Sequence, residues 1–150
     1  MSHARTQIRD ALVSAVTGLS TTGASVFASR VYPQDDPPCL AVWTRGDIRQ
    51  EEGDTLGKLV RQDLEGEIIA FSKPDPAVIT VDDQLDQICA EVEAALTADL
   101  SLGNRVRYLE LTGTLIEISG DLERPSGTAI MRWRCVYGYV VTDPETIVSL

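Results

Sequence analysis

Residues 59–71 read Leu-Val-Arg-Gln-Asp-Leu-Glu-Gly-Glu-Ile-Ile-Ala-Phe. Side chains alternate between the two faces of an extended chain. Val60, Leu64, Ile68 and Ala70 therefore share one side, and Arg61, Asp63, Glu65 and Glu67 share the other. One packed face and one wet face is the pattern of an antiparallel strand in a sheet covered on a single side. Lys73-Pro74-Asp75-Pro76 ends it. Downstream, Thr128 to Thr142 repeats the pattern: Trp133, Cys135, Tyr137, Tyr139 and Val141 alternate with Arg132, Arg134, Val136, Gly138 and Val140. Val106 to Ser119 reads as its neighbour, across turn material from Gly120 to Gly127.

Two stretches carry the helical period. Ile8, Leu12, Ala15, Val16 and Leu19 form one stripe of a helix over Arg5 to Leu19, with Ser2 as its cap and Gly18 or Gly23 at its end. Leu85, Ile88, Cys89, Val92 and Leu96 form the stripe of a second helix over Val81 to Ala98, capped by Thr80 or Asp82. Its charged positions, Asp82, Asp83, Asp86, Glu91, Glu93 and Asp99, are all acidic. Between the first helix and residue 59, Val26 to Tyr32 and Cys39 to Thr44 read as strands around the turn Gln34 to Pro38. Arg45 to Lys58, polar with glycines at 46, 53 and 57, reads as a long, mobile hairpin tip. The order α, β, β, β, α, β, β predicts an α+β fold, a mostly antiparallel β-sheet with two helices packed on one face. Length predicts a single domain over residues 1–150.

Net charge is −10. Residues 1–75 hold 8 basic and 11 acidic groups, and residues 76–150 hold 5 and 12, so the second half carries −7 of the total. That balance opposes DNA capture, which draws its affinity from Lys and Arg on phosphates. No apolar run approaches the ~20 residues that span a bilayer, so a soluble, cytosolic origin is the default expectation. Cys39, Cys89 and Cys135 are scattered in apolar stretches, which points to small buried hydrophobes rather than disulfides or thiolate ligands.

Catalytic chemistry is hard to assemble from this chain. The one histidine, His3, lies in a segment expected to fray, and any Ser-His-Asp or Cys-His site would need it. The acidic groups at Asp35/Asp36, Glu51/Glu52/Asp54 and Asp82/Asp83/Asp86 lack EF-hand spacing. Neither phosphate-cradling glycine motif occurs. We expect no catalytic residues, no cofactor and no metal.

The helix around Arg9-Asp10-Ala11-Leu12-Val13, the break Thr22-Gly23-Ala24, then Arg30-Val31-Tyr32-Pro33 and Leu40-Ala41-Val42-Trp43-Thr44, resemble the tail-terminator (tail-completion) proteins of long-tailed bacteriophages. The resemblance implies a structural virion protein that closes into a homohexameric ring at the head-proximal end of the tail tube. There it would stop tube polymerisation and present the head–tail joining surface. Implied partners are further copies of the chain, the tail tube protein, and a head-completion or connector protein. DNA would pass through the ring without specific binding, and no membrane is involved. The protein would sit in the neck region of the virion tail after assembly in the host cytoplasm. Candidate subunit or partner contacts are Arg45, Asp47, Arg49, Glu51 and Glu52 of the loop, and Arg132 and Arg134 on one face of the last strand. The acidic second helix is a candidate to meet those arginines. Two alternatives stand beside this reading: another phage neck or head-closure component, and a small-ligand binding module or enzyme on a helix-covered sheet.

Overall fold

The structure, a computed structural model, describes residues 2–28, 37–50, 59–120 and 125–148. Along the chain run α1 (Ala4–Val16), β1 (Val26–Phe27), β2 (Cys39–Gln50), β3 (Leu59–Ser72), α2 (Val81–Thr97), β4 (Tyr108–Ser119), β5 (Ser126–Val140) and β6 (Asp143–Val148). Among the described residues the strands form one sheet in the order β1-β2-β3-β5-β4, with β6 beside the end of β5. Every pairing is antiparallel except β1 on β2. The expected α+β architecture is present.

The central pair is β3 with β5, in unbroken register from Leu59↔Val140 to Ser72↔Gly127. Because β3 and β4 are both antiparallel to β5, they run parallel to each other, and α2 carries the chain between them. Both helices lie on the face holding Val60, Leu64 and Ile68 of β3 and Met131, Trp133, Cys135 and Tyr137 of β5. Ile8, Leu12 and Val16 of α1 and Leu85, Ile88, Val92 and Leu96 of α2 pack onto it. Each such side chain, fully buried, contributes about 1.5–3 kcal/mol. The facing expected from the alternation of residues 59–71 and 128–140 is the one observed.

Local chemistry sets the helix ends. Thr80 Oγ1 accepts from the Asp83 amide at 3.2 Å, and Asp82 and Asp83 lie in the first turn of α2, where the helix dipole favours them. At the start of α1 the cap is His3, not Ser2. Its Nδ1 accepts from the Arg5 amide at 3.1 Å, and its ring packs edge-on against Tyr139. His3 is thus held in place rather than frayed. Helix α1 stops at Val16, short of the expected Leu19, because Thr17 is extended and Gly18 takes φ +89°.

Other boundaries differ from expectation. Strand β1 covers Val26–Phe27 among the described residues; residues 29–32 of the longer strand expected there, and residues 33–36 after it, lie outside them. Strand β2 runs through Arg45 to Gln50 instead of yielding to a loop at Arg45, so the expected mobile tip is paired sheet over that stretch. Strand β4 starts at Tyr108, and β5 stops at Val140. The chain then turns back as β6, which the sequence reading did not anticipate.

Both long outer strands bulge at the same level. Register slips between Thr44 and Gly46 in β2 and between Leu111 and Gly113 in β4 flank the rung that pairs Gly66 with Trp133. Bulges sharpen the local twist. A Cβ built on Gly66 would overlap the Trp133 ring and the Trp43 carbonyl. Gly66 is therefore a packing requirement: its missing side chain is the space the indole occupies.

Two expectations follow. Trp133→Ala should lose about 3–5 kcal/mol in denaturant unfolding, and Gly66→Ala about 1–3 kcal/mol through overpacking; a parent-like midpoint for either would refute this account of the rung. Burial, aided by Arg5, lowers the His3 pKa below its ordinary value of 6.5. The unfolded chain then takes up the proton first, so stability falls as pH drops through 6.5 and is fully present above it. A proton on Nδ1 also removes the cap's acceptor. Thermal melts at pH 7.5 and 5.5 should show a larger loss for the parent than for His3→Asn, which caps without titrating.

Candidate functional site

The sheet face away from the helices is half apolar and half charged. Ala41, Trp43 and Ile69 pack together there with Phe71 and Ile130. Beyond them the register brings acids and bases into rows. Arg132 Nε lies 3.9 Å from Glu67 Oε2, and Trp43 Nε1 donates to Glu67 Oε1 at 3.2 Å. Arg134 sits between Asp63, at 3.4 Å, and Glu110, at 3.8 Å. Arg132 and Arg134 do share a face, as their spacing required, but acids of β3 and β4 already stand beside them. Solvent-facing pairs of this kind contribute about 0–1 kcal/mol each. They leave the face close to neutral.

Asp47 is held within its own chain. Arg5 Nη1 donates to its two carboxylate oxygens at 3.0 and 3.2 Å, and Tyr137 Oη donates at 2.7 Å. The bond to Asp47 raises the Arg5 pKa. Burial first, then the same carboxylate, pushes the Tyr137 phenol up, so it stays protonated as a donor. Arg45 and Arg49 are exposed on β2 and have no ion pair among the described residues. Glu51 and Glu52 lie outside the described residues.

The acidic helix divides by role. Glu91 accepts from the Thr21 amide at 2.9 Å and its hydroxyl at 2.6 Å, fastening the turn after α1 to α2. Asp99 accepts from the Ser101 hydroxyl and the amides of Ser101 and Gly103, and these bonds lower its pKa. Asp82, Asp83, Asp86 and Glu93 face solvent. They lie on the opposite side of the sheet from Arg132 and Arg134.

The sequence reading missed the outer position of β4 in the sheet. Among the described residues strand β4 pairs only with β5, and along it Tyr108, Leu115, Ile116 and Ile118 are exposed, Leu115 at 48%. Leu115 projects on the charged face, level with Ile130, and Ile116 on the helix face, level with Ala129. At the far side of the sheet, β1 pairs among the described residues with Leu40 and Ala41 of β2. Further along β2, Ile48 is 69% exposed.

Other chemistry is sparse. A cavity of about 570 Å³ lies at one end of the sheet, lined mainly by Pro37, Ser72, Glu117, Ser119, Ser126 and Thr128. Cys39 and Cys135 are buried and Cys89 is half-buried. Burial pushes the Cys89 and Cys135 thiols up to about 11 and about 12, so neither is a thiolate at neutral pH. Among the described residues no three His, Cys, Asp or Glu side chains group to hold a metal ion, and no helix is long and apolar enough to cross a membrane. No protein-family model and no curated protein sequence matches this chain.

Asp47→Ala leaves the buried Tyr137 hydroxyl without its acceptor and should lower unfolding stability by about 1–3 kcal/mol. An unchanged melt would return Asp47 to the pool of surface contacts.

Proposed function

We propose that this protein is a structural subunit of a phage tail. Copies close into a hexameric ring at the head-proximal end of the tail tube, stop its polymerisation and offer the surface on which the head joins. The observation that carries this reading is an edge strand, β4, that among the described residues pairs only with β5 and exposes apolar side chains on both faces. A cyclic ring needs two different surfaces on each protomer that match by rotation. The resemblance of residues 5–44 to tail terminators supports the position on the tail. Those residues supply α1, the turn through Gly18 and Gly23, β1 and the first part of β2.

Charge supports the same reading. A subunit of net −10, repeated around a ring, repels the phosphate backbone, which suits DNA that must pass and not stick. The tail tube protein and a head-completion or connector protein are the partners this position entails. A different neck component would use the same edge strand at another level of the tail.

Electron microscopy of tails with this protein labelled should place six copies at the head-proximal end. Disrupting its gene in the parent phage should leave tubes of irregular length and heads without tails. Another copy number, or normal tails without the protein, would overturn the reading.

A further inference from the structure

We propose that the free protein is a two-fold dimer in which β4 (Tyr108–Ser119) of one copy pairs antiparallel with β4 of another, centred on Leu115. A bare strand edge is a row of unused donors and acceptors, and proteins that keep one free usually defend it with Lys, Pro or a short strand. Strand β4 is 12 residues long and contains neither Lys nor Pro. Every residue from Thr112 to Ser119 is exposed, so no helix covers this stretch on one face and nothing covers it on the other. Leu115 opens on the face away from the helices, and Thr114, Ile116 and Ile118 open on the helix face. Of the chain outside the described residues, 29–36 join β1 to β2 and 51–58 join β2 to β3, while 121–124 follow the last rung of β4, Ser119↔Ser126.

Register selects the occupant. A two-fold axis perpendicular to the sheet pairs two copies of one strand antiparallel, with facing residues on the same side. Centred on Leu115, it sets Leu115 against the partner's Leu115, with Ile130 behind each. On the helix face Thr114 meets the partner's Ile116, a β-branched pair suited to neighbouring strands. On the other face Glu117 comes opposite the partner's Gly113. That glycine carries no side chain, the space above it is open, and its own neighbour on β5 is the exposed Arg132.

Two strand spacings, about 10 Å, separate Glu117 from the partner's Arg132, within the joint reach of the two side chains. The axis makes this ion pair twice. Glu117 has no ion pair among the described residues, and Arg132 meets Glu67 only at 3.9 Å. Adjacent registers lose the match. Centring on Thr114 would set Leu115 against the partner's Gly113, and centring on Ile116 would set it against the partner's Glu117.

Such a pairing is isologous and closes at two copies. Any ring contact made through β4 needs the same edge, so the dimer holds the free protein out of rings until a tail competes for the strand. The dimer concerns the protein before assembly and stands apart from the ring reading.

Light scattering on the free parent should give twice the chain mass. Leu115→Cys with Cys89→Ser should link to itself on oxidation and stop at two chains. Glu117→Arg and Arg132→Glu should each keep the parent's circular dichroism and be monomeric alone. Mixed, they should pair, because the mixed dimer holds one native and one reversed ion pair. A parent that stays monomeric at every concentration, a dimer whose Leu115→Cys variant does not link, or charge variants that stay dimeric singly or fail to pair when mixed overturn the β4 pairing. Six copies on tails, from a protein monomeric when free, would sink the dimer and leave the ring; a free dimer with no place on tails would do the reverse.

Discussion

The stack of Trp133 on Gly66 is the constraint around which the sheet is shaped. An indole can lie flat over the middle of a sheet only where the neighbouring strand has no side chain, and Gly66 provides that gap. The two long flanking strands bulge at this level, which lets the sheet bend around the ring. The helices then meet a curved surface with a large aromatic at its centre. The Trp133 indole N–H finds no acceptor among the described residues. That cost, about 1–3 kcal/mol for a buried unpaired donor, is offset by the burial of the ring, which fills the space above Gly66.

A second constraint is polar. Asp47 gathers Arg5 from α1 and Tyr137 from β5, while His3 caps the same helix and leans on Tyr139. This cluster explains why the polar run after Thr44 is strand. Its only inward-facing acid has two donors waiting for it, so burial of the carboxylate is compensated. Without α1 in place, residues 45–50 would have little reason to stay in the ladder.

Periodicity made much of the fold legible. Strict alternation in residues 59–71 and 128–140 gave the facing of Trp133, and the stripes of both helices gave their buried sides. What failed were places where a partner distant in sequence decides the outcome. Arg45 to Gln50 read as loop because Asp47 looks solvated until Arg5 is known to reach it. Strand β6 went unread because Pro144 argues against a central strand, whereas an edge strand tolerates the proline. Among the candidate contacts, spacing put Arg132 and Arg134 on one face, but only register reveals Glu67, Asp63 and Glu110 beside them. The open edge of β4 was hardest to read, because a strand's place in the sheet is a property of topology, and topology leaves no local mark.

The way α1 is fastened bears on the order in which the molecule can form. Gln7, near the start of the chain, donates to the Glu145 carbonyl 138 residues away. The central pair β3–β5 also waits on distant chain: Asp63 meets Arg134 across a separation of 71 residues. Contacts this remote must close large loops before they repay anything, which places the protein among slow folders. On the ribosome, β2 and β3 can zip as a hairpin early, but their apolar face stays uncovered until α2 and β5 emerge. The first helix made is among the last to be locked. A nascent chain of this protein therefore carries an exposed hydrophobic sheet from the end of β3 until β5 is made, and its yield in cells should depend on chaperones that cover such surfaces.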